Sequence, residues 1–385
     1  MKIYVAMYDY PVQTGGGGIS TATSVAALQT KHDVKVFYNY DALKVALGLE
    51  KPDMVHHMNV RGLVSIARMC REHNVTCITT LNNEITCING THMWFDKTRD
   101  TNKFARECRR CSFLRATYCN FFDWRFPLWR RLRNAATVIY RYFLNHKRGL
   151  EELKRIPAVV VIGECDRKLL HEFGVSRKIY VIPQPIQDDF FLQRLPGKNI
   201  SGKKVFLLPK GATYSRGSHV ILEAFSKIQR NDIQVIAINN KDGNQKELQE
   251  LKEYFSHPNI KLIDQLPPEK MAELYTASYV TIFSDLTYSP FGRTWAESCA
   301  RGTPVMAFRG RGAAEDYLIH KETGYFMQES IQGIIDAINE LCDDTVLYAK
   351  IRANSFAYVN KNLKASHWLS KIEQVYGDVF SGNSY

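Results

Sequence analysis

The chain has 385 residues, 45% of them apolar and 23% charged, enough for two or three domains and incompatible with disorder as the main state. Lys and Arg number 51 against 39 Asp and Glu, a net charge of +12, which calls for an acidic partner such as nucleic acid, anionic lipid or a phosphorylated ligand. No apolar run approaches the roughly 18 to 20 residues that cross a bilayer, which excludes an integral membrane protein. Nine Cys, an odd count in a chain that needs no disulfides, point to a reducing cytoplasm.

Met1–Met7 is too short and meets Asp9 too soon to be a signal peptide, and Ile3–Met7 reads instead as a first strand. Short apolar runs then alternate with helical patterns: a helix from about Ser20 to Gln29, strands at Val34–Tyr38 and Met54–His57, a helix from Leu63 to His73 and a strand at Thr76–Leu81. The rhythm fades over 82–150, an insertion rich in Asn, Cys, Arg and aromatics, until a helix near Ala135–Leu144. It returns with strands at Ala158–Gly163, Lys178–Ile182, Val205–Leu208, Gln234–Asn239, Lys261–Asp264, Val280–Ser284 and Pro304–Arg309, and the chain closes on an amphipathic helix from Ala365 to Phe380. Strands spaced by helices predict α/β units with parallel sheets, here two doubly wound domains. Pro183-Gln184-Pro185 places the boundary near residue 186.

Two loops carry phosphate-binding chemistry. Gly15-Gly16-Gly17-Gly18 follows the first strand and precedes a helix, so its backbone can approach a phosphate closely, although a plain tight turn reads the same way. The spacing is not that of a dinucleotide fingerprint, and no acidic residue ends the second strand. The segment from Ser284 to Val305 is more specific. A strand ends in a loop where Gly292 permits close backbone approach, and a helix begins near Arg293 or Thr294 with free N–H groups. One turn later Glu297 offers a carboxylate to a ribose diol, and Gly302-Thr303-Pro304 closes the helix and launches a buried strand.

This segment resembles the retaining glycosyltransferases of the GT-B fold, family 4 (glycosyl transferases group 1). Their signature is a Glu, then Gly-Phe-Gly, a second Glu eight residues after the first, and a Gly-Thr-Pro-Val strand. Phe291, Gly292, Glu297 and Gly302-Thr303-Pro304-Val305 match it, while Ser289 stands at the first Glu, which in the family contacts the donor sugar. The likeness extends to Pro209-Lys210-Gly211-Ala212-Thr213-Tyr214-Ser215-Arg216-Gly217, which is similar to the family's glycine loop and Lys-Gly pair. Arg216 takes the Lys-Gly position, and Lys210 falls one residue before Gly211 instead of one after it. Arg offers diphosphate a bidentate fork. Asn259–Tyr275 resembles the strand, loop and helix beside the nucleotide base, Glu315 and Thr323-Gly324 resemble later family positions, and the helix around Trp368 resembles the final helix that returns to the first domain. In Thr79-Thr80-Leu81-Asn82-Asn83, Asn82 stands where many members carry a His that approaches donor sugar and phosphate; Asn hydrogen-bonds but carries no charge, and His92 or an Arg could compensate.

The resemblance implies a GT-B architecture, two Rossmann-like domains facing across a cleft. An acceptor-binding domain would comprise 1–185 plus 363–385, with the insertion 82–150, and a nucleotide-sugar domain 186–362. It implies catalytic roles for Arg216, Lys210 and Glu297, and donor contacts from Gly16, Gly17, Gly211, Ser289, Phe291, Gly292, Arg293, Thr294 and Asn82. The donor would be a nucleotide-diphosphate sugar, with no further cofactor. The absence of any Asp-x-Asp leaves a metal-bridged diphosphate unsupported.

Three features remain. His56 and His57 end a strand, as site residues or as satisfied core residues. Cys87, Cys108, Cys111 and Cys119 gather in the insertion, with Cys108 and Cys111 at metal-ligand spacing; a structural zinc, free thiols and a disulfide all fit. From Lys97 to Gly149 there are 14 Lys or Arg against 3 Asp or Glu, so nearly the whole net charge lies there. Within it Phe121–Arg133 interleaves aromatics with Arg, which suits an anionic membrane surface, a packed helix pair with a basic face, or nucleic acid, although no nucleic-acid motif accompanies it. The expected protein is thus a retaining, metal-independent glycosyltransferase, peripheral on the cytoplasmic face of a membrane, with a lipid-linked saccharide or glycolipid as acceptor. Ser289 and Asn82 equally fit a weak or inactive GT-B partner protein, and a basic nucleic-acid module would explain the charge but not the Ser284–Val305 segment.

Overall fold

The computed structural model describes residues 1–7, 16–59, 61–82, 112–121, 127–176, 178–195, 202–239, 245–286, 289, 291–309 and 314–382. They form two compact units, 1–185 with 365–385, and 186–364.

The first unit holds a six-stranded sheet of β1 (Lys2–Ala6), β2 (Asp33–Phe37), β3 (Met54–Met58), β4 (Thr76–Leu81), β5 (Val159–Val161) and β6 (Ile179–Val181), in the order β2-β1-β3-β4-β5-β6. The second holds β7 (Lys204–Leu208), β8 (Ile233–Asn239), β9 (Ile260–Asp264), β10 (Val280–Phe283), β11 (Val305–Phe308) and β12 (Tyr325–Met327), in the order β12-β11-β10-β7-β8-β9. Every pairing is parallel. Runs such as Val159-Val160-Val161 are apolar throughout because helices cover both faces of a parallel sheet. Ile3 and Val5 face Trp368, Leu369, Ile372 and Val375 of the terminal helix Ala365–Phe380, whereas Tyr4 and Ala6 face Leu43 and Ile66. In the second unit Phe206 and Leu208 pack with Ile221, Phe225 and Ile338, while Leu207 turns to Ile238 and Tyr275. The expected α/β fold of two doubly wound units is therefore present, with the terminal helix on the first sheet.

The chain departs from the sequence pattern in several places. Gly16, Gly17 and Gly18 lie inside the first helix, Gly16–Gln29, which starts well before Ser20. Thr21 and Thr23 turn their hydroxyls back onto the carbonyls of Gly17 and Ile19, at 2.9 and 2.8 Å, and so continue the helix instead of capping it. The single helix expected at Ala135–Leu144 is broken: Leu128–Ala136 ends at Thr137, whose hydroxyl takes the Asn134 carbonyl at 2.8 Å, and the backbone resumes as Val138–Tyr140 and a π-helical turn Arg141–Lys147. Helix Tyr40–Leu49 and strand β12 were not anticipated. The helix did announce itself, through the Asn39 cap on Ala42 N at 2.8 Å and Leu43 and Leu47 one turn apart.

His56 and His57 are fully buried in β3 and fully bonded. His56 spans Tyr376 Oη at 2.8 Å and Thr80 Oγ1 at 2.7 Å; His57 donates from Nε2 to the Arg61 carbonyl at 2.9 Å and meets Thr79 Oγ1 at 2.9 Å. They are core residues. Burial pulls His56 down to about 3 and His57 down to about 4. Both are therefore neutral when folded and titrate near 6.5 when unfolded, so their contribution is complete above pH 6.5 and lost as pH falls below it. Each removes about 1.4 kcal/mol per pH unit in that window. Urea unfolding at pH 7 and pH 5 is expected to show a combined loss of about 4 kcal/mol, roughly halved in His57→Asn.

Candidate active site

The second sheet starts at its centre. From β7 the chain winds out through β8 and β9, then returns to lay β10, β11 and β12 on the other side, so β7 and β10 flank the switch point. Two loops leave the carboxyl ends of these strands, where open α/β sheets bind ligands.

The loop after β7 carries Lys210, Gly211 and Arg216. Gly211 has φ +87° and Gly217 has φ +68°, between them a 3₁₀ turn, Tyr214–Arg216, before helix Ser218–Lys227. Ser218 Oγ donates to the Gly211 carbonyl at 2.9 Å and accepts from Thr213 N at 3.1 Å, which closes the loop on itself. Ser284 Oγ, at the end of β10, donates to the Arg216 carbonyl at 2.6 Å and joins the two loops. Gly217 admits no side chain, because a Cβ there would lie 2.2 Å from the Ser284 carbonyl oxygen.

The loop after β10 supplies Asp285, a residue to which the sequence pattern assigns no role. Its carboxylate is 1% exposed, and Oδ2 accepts from Lys210 Nζ at 2.5 Å and from Arg216 Nη1 at 3.1 Å. Lys210 also lies over the Phe283 ring, 3.8 Å from its centroid. Burial pulls the Lys210 ammonium down to about 8 against the opposing pull of Asp285. Burial pushes the Asp285 carboxyl up, but Arg216 and Lys210 more than offset it and hold it below its ordinary value. The result is a clamped cation pair with one net positive charge. An acidic residue just after a parallel strand, at the ligand-binding edge, is the signal that could have marked Asp285 beforehand.

Gly292 has φ +66°, and a Cβ on it would lie 2.2 Å from Phe283 Cζ and 3.2 Å from Lys210 Nζ, so only glycine brings this backbone against the ammonium. Phe291 is buried edge-on to Trp295, with ring centroids 5.3 Å apart, and its carbonyl accepts from Trp295 Nε1 at 2.6 Å; it shapes the loop from within. The following helix, Thr294–Ala300, has seven residues, and the Trp295 N–H already donates to the Gly292 carbonyl at 3.1 Å. Much of the helix-terminal attraction expected for an anion is thus spent locally, and the cation pair dominates. Thr294 Oγ1 is buried with no hydrogen-bond partner among the described residues.

Glu297 is not a bare carboxylate. Arg293, buried, donates from Nε to Oε1 at 2.5 Å and from Nη2 to Gln187 Oε1 at 2.7 Å. The Tyr275 hydroxyl donates to Oε2 at 3.4 Å, its own pKa pushed well above the usual value by burial, with Glu297 beside it. Each oxygen keeps a lone pair for a hydroxyl donor.

The second unit therefore brings together Lys210, Gly211, Arg216, Phe291, Gly292, Arg293, Thr294 and Glu297; Ser289 is buried. In the first unit Asn82 follows β4 and donates to Thr21 Oγ1 at 3.3 Å, next to the helix that begins with Gly16 and Gly17. His92, Cys87, Cys108 and Cys111 lie outside the described residues; Cys119, on helix Phe113–Phe121, is half-buried. No group of three or more His, Cys, Asp or Glu able to hold a metal occurs among the described residues.

Comparison with known proteins follows the same outline. Among curated protein sequences none matches the chain. Anabaena HepE in complex with UDP superposes with a TM-score of 0.72 at 14% identity, over 98% of this chain and 100% of that one. Sucrose-phosphate synthase from Thermosynechococcus elongatus gives 0.74 at 14%, over 99% and 100%, and a glycosyltransferase from Rickettsia africae 0.68 at 16%, over 98% and 98%. The fold of the whole chain is that of these GT-B proteins, and residues 193–357, which contain every charged group of the site, match the family of glycosyl transferases group 1.

Proposed function

We propose that the protein is a retaining glycosyltransferase that moves a sugar from a nucleoside-diphosphate sugar to an acceptor hydroxyl. The clamped pair of Lys210 and Arg216 at the switch point of the second sheet carries this reading, since a preformed cation pair at that edge suits a diphosphate. The group 1 match over 193–357 and the HepE complexes with UDP and UDP-glucose support it. Lys210 and Arg216 would neutralise the diphosphate, Glu297 would accept from the ribose, and the backbone at Gly211 and Gly292 would admit the phosphates. Ser289, Phe291, Arg293 and Thr294 would complete the donor side.

In the transfer step the bond from the anomeric carbon to the phosphate oxygen breaks and the bond to the acceptor oxygen forms on the same face. The acceptor's proton passes to the departing phosphate oxygen, so no protein nucleophile is required. Calorimetric titration with UDP-, GDP- and ADP-glucose, followed by product analysis, tests this: micromolar binding of one of them and an anomeric configuration kept in the product are expected, and no binding at millimolar ligand overturns it.

The acceptor is proposed to be lipid-linked and presented at an anionic membrane, with this protein peripheral to it. Helix Leu128–Ala136 buries none of its residues; Leu128, Trp129 and Leu132 are 59%, 61% and 50% exposed among Arg130, Arg131 and Arg133. Leu114 on helix Phe113–Phe121 is 76% exposed. Rings and leucines reach the acyl boundary while each Arg near anionic lipid adds about 1 kcal/mol. No helix among the described residues is long and apolar enough to cross the membrane. Sedimentation with vesicles containing 30% anionic lipid is expected to capture the protein at low salt and to fail for Arg130, Arg131 and Arg133 changed together to Glu. Equal sedimentation of the two overturns the membrane reading.

A further inference from the structure

Asp285 is more than a surface counter-ion. One carboxylate oxygen, Oδ2, takes both cations, while Oδ1 is buried with no hydrogen-bond partner among the described residues. Such a carboxylate is costly to keep out of water, and only strong local fields offset the loss. Those fields come from Lys210 and Arg216, which would otherwise repel each other. The other groups facing Lys210 are Glu297, from helix Thr294–Ala300 with Arg293 bound to it, and the Phe283 ring from β10.

We propose that Asp285 is a positioning residue for anion recognition: it clamps Lys210 and Arg216 before any ligand arrives, so that a diphosphate meets a preformed cation pair with one net positive charge. The inference rests on reading this site as the donor-diphosphate site. Preorganisation lowers the ordering cost of binding, and the counter-charge keeps Lys210 protonated against the burial that works the other way.

The full-length protein with ¹⁵N-labelled lysine tests this by NMR, with Lys210 assigned through Lys210→Arg. In the ligand-free wild type a slowly exchanging Lys210 ammonium, distinct from surface lysines, is expected, with titration near 8. A freely averaging Lys210 overturns the proposal without recourse to any variant. In Asp285→Asn the titration is expected at least one pH unit lower. The ratio of wild-type to variant affinity for inorganic pyrophosphate is expected to climb from within threefold at pH 6 to about fivefold or more at pH 8, and Asp285→Glu to recover part of it. A loss equal at every pH means a merely structural role and sinks the proposal. If pyrophosphate binds with this pH signature but UDP, GDP, ADP and their glucose conjugates do not, the transferase reading fails and the clamp stands. If nucleotide binds and the loss is flat in pH, the clamp fails and the transferase reading stands.

Discussion

Arg216→Ala lowers kcat/KM by a hundredfold to a thousandfold and leaves the fold intact. Its side chain is 39% exposed, so truncation costs little packing, and Lys210 still satisfies Asp285 at 2.5 Å. On the proposed function, what is lost is one fixed cation aimed at the oxygens where charge would grow as the sugar leaves. Removing one preorganised donor of that kind costs about 2.7 to 4 kcal/mol of transition-state stabilisation. Arg216→Lys keeps the charge without the planar fork and is expected to recover about a tenth of the activity. Lys210→Ala behaves differently: like Arg216→Ala it leaves the buried Asp285 with one cation, but it also removes a side chain only 13% exposed that packs over the Phe283 ring, and it therefore destabilises the protein as well. Steady-state kinetics with the donor identified by titration, set beside urea midpoints, separates the two: an Arg216→Ala enzyme of unchanged kcat/KM removes this residue from the diphosphate site.

Glu297→Ala produces two losses that a second substitution disentangles. The first is donor affinity, expected to fall at least tenfold as the ribose diol loses its acceptor, about 1.4 kcal/mol or more. The second is stability. The Arg293 side chain is 5% exposed and that of Glu297 17%, and cutting this pair strands a buried guanidinium that keeps Gln187 as a polar contact. Breaking a buried pair from one side costs about 3 kcal/mol at the lower end of the measured range. Combining Glu297→Ala with Arg293→Met is expected to restore most of the denaturation midpoint while affinity stays low. Restored affinity in the double variant would show that Glu297 acts only by keeping Arg293 in place, and the ribose assignment would go.

The alternation of strands and helices was legible because in a doubly wound fold the inner parallel strands are apolar along most of their length, as Val159–Val161 and Val280–Phe283 are, and each strand is separated from the next by a helix-length segment. Eleven of the twelve strands among the described residues were readable on that ground. β12, only the three residues Tyr325–Met327, offers too short a run to show a period. The break at Thr137 and the start of the first helix at Gly16 hinge on hydroxyls turned back onto carbonyls, a choice composition does not encode. In the candidate site, Lys210, Arg216, Gly292 and Glu297 stand out in the sequence through their loops and the motif they resemble. Their partners do not: Asp285 lies 75 residues from Lys210, and Gln187 lies 106 from Arg293.

By itself the sequence determined eleven of the strands among the described residues, that there would be two parallel sheets, and which loops hold glycine beside cationic or carboxylate side chains, since these follow from local periodicity and the conformational freedom of single residues. Only the tertiary structure decided that one buried carboxylate takes both cations, that Glu297 is bound to Arg293, and that His56 and His57 are core. Each of those outcomes depends on the burial that sheet pairing imposes, and burial is what makes a charge need a particular neighbour.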